Sequence, residues 1–367
     1  MYINYIALAD IPSKNANALQ IVQMCNAMVL NGHKVTLLIP NFSKSEKSLK
    51  EYYGIETSIR IIKIGKKQKN ISKFQNLTIP IKLVYENFFI KKDIIITRNM
   101  VISLIFIILR IKHIIEIHDD ISTSGKIISK IFKFFKLLNS SSIIKIVFIT
   151  HGIKKFIMLN YKYIKNNFDV LPDATNIFNY KFSSLSDKKL NIGYFGSIYK
   201  SRGINTIIKL SLIDPNNDYY IYGGLPADVN KLHLKYKRKN LIIKSQIPYK
   251  EVKDEIVKMD VLLMPYTENV TTTGNVSNII NFMSPMKMFD YLGSSKIILS
   301  ANIPVLREVL KNNFNSILID DYMNINSWLR EISKIKFNKP KYLIIRKNAL
   351  KTALENTWFD RAKKLLS

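Results

Sequence analysis

Two segments in the second half of the chain carry side chains suited to phosphates and sugar hydroxyls. The first is IGYFGSIYKSRGI, Ile192–Ile204, where an apolar strand ends at Gly196, a short loop follows through Ser197, and Arg202-Gly203 opens a helix. A glycine at a strand end lets a ligand approach the backbone. The following helix N-terminus offers unpaired N–H groups and a positive dipole end, and a guanidinium fork matches phosphate oxygens. These residues predict a diphosphate site, although they also suit an ordinary strand–helix turn with a surface arginine. The second segment is NFMSPMKMFDYLG, Asn281–Gly293. Ser284 is the expected N-cap and Pro285 the first helical residue. Lys287 then falls in the first turn, where a cation opposes the helix dipole and makes more sense with an anion nearby. Asp290 lies three residues on, shares that helix face, and can accept hydrogen bonds from two neighbouring ribose hydroxyls. The same spacing also allows a plain Lys287–Asp290 surface pair.

Two further constellations lie in the first half. His118 ends a predicted strand beside Asp119 and Asp120. By itself it reads as a structural histidine, and the paired aspartates suggest a metal only weakly. With five histidines and one cysteine, no Cys/His cluster has zinc spacing, and no metal is expected. In GKIISKIFKFFKLLN, Gly125–Asn139, Lys126, Lys130, Lys133 and Lys136 recur at helical spacing among Ile127, Ile128, Ile131, Phe134, Phe135 and Leu138. From Gly125 to Lys165 there are nine lysines and no acid. Such a helix can lie on an anionic membrane surface, or it can bury its apolar side in its own domain and keep its lysines in water.

The elements that must position these residues alternate strand and helix. Strands are expected at Tyr2–Leu8, Lys34–Ile39, Ser58–Ile64, Asp93–Thr97, His113–Ile117 and Lys145–Thr150. A helix is expected over Ala16–Leu30, stopped by Gly32. The Met100–Leu109 run, flanked by Arg98 and Arg110, is about half the length needed to cross a bilayer and reads as a buried helix. The pattern restarts with strands at Leu190–Gly196, Tyr219–Tyr222, Asp260–Met264, Lys296–Ser300 and Ser316–Ile319, and ends with a helical stretch, Leu354–Leu366. Continuous apolar strands are covered on both faces, which implies parallel, doubly wound sheets. The polar stretch Asn176–Lys189 divides the chain into a domain over 1–180, a second over 190–350 and a C-terminal helix over 351–367. Ligand sites in such domains lie at the strands' carboxyl ends, here facing a central cleft.

Length and charge agree with this plan. A chain of 367 residues suits two domains. The single cysteine, Cys25, precludes an internal disulfide and reads as a reduced core residue. The 56 basic and 27 acidic side chains give a net charge of +29. Up to Lys188 the balance is 28 to 12, and beyond it 28 to 15. An excess spread so evenly, with no nucleic-acid-binding module, points away from nucleic acid and toward phosphate-bearing ligands or anionic membranes. MYINYIALAD reads as a first strand rather than a secretory signal. A cytoplasmic protein is expected, with a peripheral position on the inner membrane face as the variant that Gly125–Asn139 would allow.

The segment SPMKMFDYLGSSKIILSANIPVLREVL, Ser284–Leu310, resembles the donor-site segment of the family-four retaining glycosyltransferases of the GT-B fold, which read close to S-P-x-K-x-F-E-Y-M-A-x-G-K-P-I-I-A-S-x-x-P-x-x-R-E. SKNANALQIVQMCNAMVLNGHKVTLLIP, IITRNM, IIEIHDD, FITHGIKKFI, DVLPDATNIF and MDVLLMPY agree with the family in order and spacing, so the resemblance covers nearly the whole chain. It implies two Rossmann-like domains, a C-terminal helix crossing back to the first, and sugar transfer from a nucleotide-diphosphate sugar to a glycan, lipid-linked or other hydroxyl acceptor, with retention and without a metal or other cofactor. By position it gives Arg202 the donor diphosphate and Asp290 the ribose. Gly196 and Ser197 fall in the first donor loop, and Pro285, Met286 and Lys287 in the turn nearest the phosphates or sugar. His118 would face the transferred sugar, and Asn15, Ala16 and Asn17 would form the phosphate and acceptor loop. The sequence departs from the family at Phe282, where an acid often stands eight positions before Asp290, at Ser197, often an arginine, at Asp290 itself, usually a glutamate, and in an opening loop without the usual glycine pair. These departures leave open an altered donor choice, or a GT-B subunit that binds a nucleotide sugar or glycan without catalysis; a GT-B sugar-nucleotide epimerase is a third reading.

Overall fold

The computed structural model describes residues 1–42, 46–65, 75–161, 164–177, 185, 189–270 and 278–367. They form two compact units. The first comprises Met1–Asp173, Asn281–Met283 and Trp358–Ser367; the second comprises Ala174–Ile280 and Ser284–Thr357. Most of the polar stretch expected as the boundary lies outside the described residues.

In the first unit the chain runs β1 (Tyr2–Ile6), α1 (Ala16–Leu30), β2 (Lys34–Ile39), α2 (Glu46–Tyr53), β3 (Arg60–Lys63), α3 (Gln75–Phe88), β4 (Ile94–Thr97), α4 (Met100–Ile108), β5 (His113–Ile117), α5 (Lys126–Phe134), β6 (Ile143–Phe148), α6 (His151–Tyr161) and β7 (Phe168–Val170). The seven strands pair in parallel in the order β3-β2-β1-β4-β5-β6-β7. The β-branched runs of the five inner strands are largely buried on both faces, as helices on either side of a parallel sheet require, while the edge strands β3 and β7 are half-buried or exposed. Cys25 is a buried free thiol of α1, and burial pushes its pKa up. The helix over the 100–109 run is buried on one face only. Asn99 caps it by accepting from the Val101 and Ile102 amides, and Phe106 is enclosed, but Ile108 is 70% exposed.

In the second unit β8 (Asn191–Phe195), α7 (Ile204–Ile213), β9 (Asp218–Tyr222), α8 (Pro226–Lys235), β10 (Leu241–Lys244), α9 (Tyr249–Ile256), β11 (Val261–Met264), α10 (Met286–Gly293), β12 (Ile297–Ala301), β13 (Ile317–Ile319), α11 (Ile325–Phe337) and α12 (Lys339–Leu354) follow in turn. The parallel sheet has the order β10-β9-β8-β11-β12-β13. The order reverses on either side of β8, which is the kind of switch point where open α/β sheets bind ligands. The terminal stretch expected as one helix is broken. The helix α12 ends at Leu354, and a separate helix, α13 (Trp358–Leu366), belongs to the first unit. There it packs on α1. Its Arg361 meets Glu116 of β5 at 2.9 Å and donates to the Pro172 and Leu171 carbonyls.

Candidate active site

The second unit builds its site on close backbone packing at the carboxyl ends of β8 and β9. Gly196 has a φ of +149°. A Cβ on Gly223 would lie 1.7 Å from the Gly196 carbonyl oxygen, and one on Gly203 1.6 Å from that of Pro265. Glycine is therefore the residue these turns accept. Arg202 closes one turn of 3-10 helix, Lys200–Arg202, and α7 begins after Gly203.

Lys287 enters this corner from the first turn of α10. Its ammonium lies 3.9 Å from the ring centre of Tyr194 and 5.4 Å from that of Tyr266. It occupies the space that a Cβ on Gly196 would fill, at 2.6 Å. The Arg202 guanidinium lies 5.5 Å from the same Tyr266 ring. The Lys287 Nζ is buried and has no hydrogen-bond partner. Burial, and then the charge of Arg202, hold its pKa well below the usual lysine range. Two cations thus share an aromatic corner. Lys287 forms no ion pair with a carboxylate among the described residues.

Lys287 and Asp290 do not pair. The buried Asp290 carboxylate accepts from Thr175 Oγ1 at 2.9 Å and Tyr249 OH at 2.7 Å, both on Oδ1. Burial raises its pKa, while Tyr249, Lys253 and Thr175 pull it the other way. The N-cap of α10 is Pro285, one residue later than expected, and Met286 is the first helical residue. Proline supplies no side-chain cap, so the first-turn N–H groups remain unsatisfied by one. Pro285 and Met286 are half-buried, and Ser197 is exposed; its carbonyl accepts from Tyr194 OH at 2.7 Å. An open pocket of about 910 Å³ lies beside the 200–203 turn, lined by Lys200, Ser201, Asn205, Lys209 and Asn324 among others; Gly196, Lys287 and Asp290 do not line it. The unpaired cation at Lys287 is the more specific chemical feature of the two.

The other expected site residues belong to the first unit. His118 follows β5 and is half-buried. Its Nε2 is buried without a partner, and burial, then Arg98 and Arg361, hold the imidazole well below its usual pKa. His113 is the contrasting case: Ser103 and the Ile111 carbonyl occupy both its ring nitrogens, as befits a packed structural histidine. Asp119 and Asp120 are spent locally. Asp119 accepts from the Asp120 amide, and Asp120 takes Ser122 and Tyr161 hydroxyls. Among the described residues no group of three His, Cys, Asp or Glu is placed to hold a metal. Asn15, Ala16 and Asn17 are exposed at the start of α1. Asn15 is its N-cap, and Asn17 Oδ1 accepts from the Ala18 amide at 2.8 Å.

Phe282 also belongs to the first unit. Its carbonyl accepts from Thr150 Oγ1, and its ring packs on Phe156 at 4.8 Å within the apolar cluster there. In α5, Phe132 is the buried anchor, whereas Ile127, Phe134 and Phe135 are 74, 80 and 64% exposed, between the exposed Lys126, Lys130, Lys133 and Lys136. No helix among the described residues is long and apolar enough to cross a membrane.

The aromatic partners of Lys287 and the hydroxyl partners of Asp290 were not legible beforehand. Tyr194 sits inside an apolar strand, and Thr175, Tyr249 and Tyr266 carry no motif of their own.

No protein-family model matches the chain, and no characterised protein matches it by sequence. Solved structures do match its fold along essentially the whole length. Sucrose-phosphate synthase from Thermosynechococcus elongatus superposes with a TM-score of 0.72 at 13% identity, covering 99% of this chain and 97% of that one. Anabaena HepE in complex with UDP and glucose gives 0.73 at 12% identity, covering 100% and 98%. WaaG, a glycosyltransferase involved in lipopolysaccharide biosynthesis, gives 0.68 at 11% identity, covering 98% of each chain. At these identities the likeness is one of fold: two parallel Rossmann-like sheets with flanking helices, as in GT-B glycosyltransferases.

Proposed function

We propose that this chain is a glycosyltransferase that moves a sugar from a nucleotide-diphosphate sugar to a hydroxyl of a glycan, lipid-linked or other acceptor. The observation that carries the reading is the buried, unpartnered ammonium of Lys287 beside Arg202. A buried cation without a counter-charge is costly, and a diphosphate would supply that charge. The GT-B fold and the UDP and glucose held by HepE support the same donor class.

In the proposed reaction the bond from the anomeric carbon to the diphosphate oxygen breaks and its electron pair leaves with the diphosphate. Lys287, Arg202 and the backbone N–H groups of Ser197 and Met286 stabilise that growing charge. Asp290 holds the ribose through its second carboxylate oxygen. The acceptor hydroxyl bonds to the anomeric carbon and passes its proton to the departing diphosphate oxygen. His118, neutral by burial, hydrogen-bonds the transferred sugar and does not serve as a base. Asn15–Asn17 meet the acceptor or donor phosphates. Retention, and a place in cell-surface polysaccharide or glycolipid synthesis, rest on the family resemblance. The nucleotide sugar is a substrate, and no further cofactor or metal is invoked. A cytoplasmic chain docked peripherally through α5 fits a lipid-linked acceptor, because the exposed phenylalanines and lysines of that helix suit an anionic bilayer.

A panel of nucleoside diphosphates read by thermal shift tests the donor site; no shift with any of them contradicts it. One observation favours a second reading, a binding subunit without catalysis: the side chain at 282, where an acid often stands, is a phenylalanine packed on Phe156. Slow donor hydrolysis without acceptor would support the enzyme, and tight binding with no hydrolysis or transfer would support the subunit.

A further inference from the structure

The first unit holds a cationic corner of its own. The strands β4 and β5 are neighbours, with Thr97 opposite Ile115. Continuing that register places Arg98, just past β4, opposite Glu116. Both side chains leave the sheet on the side of α1 and α13. Arg98 Nη1 donates to Gln20 Oε1 of α1 at 2.7 Å, and Glu116 meets Arg361 of α13 at 2.9 Å. His118 is two residues beyond Glu116 and so leans to the same side.

The charges here do not cancel. Tyr5 OH donates to Glu116 Oε2 at 2.7 Å, and the other oxygen, Oε1, is ion-paired to Arg361 at 2.9 Å without accepting a hydrogen bond. Among the described residues no carboxylate lies within ion-pair distance of Arg98. Two donor-capable atoms of this corner are buried and unpartnered: Nε2 of Gln20, a residue only 2% exposed whose Oε1 holds Arg98, and Nε2 of His118. A protein rarely leaves buried polar atoms unmatched without a use for them. The guanidinium and the Gln20 amide N–H₂ are donors, and so is the imidazole when Nε2 carries its proton. The complement of such a set is an acceptor-only anion with several oxygens. A metal ion would be repelled by it.

We propose that Arg98, Gln20 and His118 form an oxyanion subsite that takes a carboxylate or phosphate group carried by a substrate. The subsite deepens the transferase reading, and rests on it only in naming the bearer of the anion as the transferred sugar or the acceptor. Arg98 is the specificity-determining residue, and Gln20 positions its guanidinium.

The test uses the full chain. A Lys287→Gln background disables the donor corner, and binding of inorganic phosphate is measured by calorimetry. Phosphate binding should survive in that background and fall at least about tenfold on adding Arg98→Gln, with partial recovery in Arg98→Lys. The His118 ring ¹⁵N resonances should move on phosphate addition, and should not move in Arg98→Gln. That readout, with unchanged melting temperatures, separates binding from a structural role. Two substrate arms then locate the anion. If Arg98→Gln weakens UDP-glucuronate and spares UDP-glucose, the transferred sugar carries it. If Arg98→Gln weakens glucose 1-phosphate in the presence of UDP and spares glucose, the acceptor does. Phosphate affinity and His118 resonances indifferent to Arg98→Gln would overturn the subsite, as would equal effects on the charged and neutral member of both pairs. If UDP fails to bind the wild type while Arg98-dependent phosphate binding persists, the transferase reading fails and the subsite stands.

Discussion

Replacing Lys287 by methionine should strengthen the fold and weaken the ligand in the same variant. The ammonium is buried with no hydrogen bond, and Tyr194 at 3.9 Å is its nearest compensation. A desolvated cation–π contact offsets about 2 kcal/mol, less than the several kcal/mol that burying an unpaired ion costs. Methionine has similar length, no charge, and a thioether that also favours an aromatic ring. The substitution should therefore stabilise the ligand-free protein by about 1 kcal/mol, or about 2–4 °C in Tm for a unit of this size. The gain has a defined pH dependence. The folded pKa of Lys287 is depressed, so the wild-type penalty is absent above the unfolded value of about 10.4 and grows as pH falls toward the folded pKa. The advantage of methionine should be full below that folded value and vanish near the unfolded one. Binding should move the other way. Charge-assisted hydrogen bonds to phosphate are worth about 1.5–3 kcal/mol, so affinity for a nucleoside diphosphate should fall about ten- to a hundredfold. Differential scanning fluorimetry across pH and calorimetry with UDP measure both halves. A lower Tm with unchanged UDP affinity would refute the reasoning, because Lys287 would then be a structural residue.

Asp290→Asn should weaken a ribonucleoside diphosphate more than its 2′-deoxy analogue, by about 1 kcal/mol; equal losses contradict the ribose role. The same variant should flatten a stability slope. The raised folded pKa of Asp290 means stability is lost as pH climbs from the unfolded carboxyl value of about 3.9 through the folded one, and urea melts at several pH values would reveal it. His118→Ala should depress turnover at least about tenfold while leaving nucleotide affinity within about twofold; strong loss of affinity would place His118 elsewhere in the reaction. Sedimentation with phosphatidylglycerol vesicles at low salt should recover the chain, and Phe134→Ser with Lys130→Glu should abolish that recovery; failure of the wild type to sediment removes the docking proposal.

Most of the strands were readable, because buried parallel strands are continuous apolar runs; their order in the sheets was not. Ala16–Leu30, Lys34–Ile39 and His113–Ile117 were expected with the bounds observed. Phe168–Val170 and Leu241–Lys244 escaped, although strands as short, such as Ile94–Thr97 and Val261–Met264, were expected from their apolar runs. The C-terminal break escaped because Glu355–Thr357 carries no Gly or Pro, and its turn is set by tertiary pairing of Thr175 with Thr357. At the site, motif residues could be named but not their surroundings. Lys287 and Asp290 share a helix face by spacing, so an ion pair was a fair expectation. Three-dimensional packing overrides it, since Tyr194 and Tyr266 arrive from β8 and the end of β11, and Thr175 and Tyr249 from two other segments. The α5 stripe shows the same limit: pattern alone made Phe134 and Phe135 candidates for core or surface, and Phe132 took the core position.

The separation of Lys287 from Asp290 bears on which way round a nucleotide would lie. They stand three positions apart, about 4.5 Å along the axis of α10, in environments of opposite demand. Lys287, at the helix N-terminal end, lacks an anion. Asp290, nearly one turn further in, has one oxygen engaged by Thr175 and Tyr249 and can accept from hydroxyls on the other. The helix dipole acts in the same sense, favouring negative charge at the first turn and not beyond it. A ligand satisfies all three only if its phosphates lie at the N-terminal end and its hydroxyls a turn inward. In the proposed complex that order sets the leaving diphosphate, rather than the base, against the two cations, which is where charge grows as the glycosidic bond breaks.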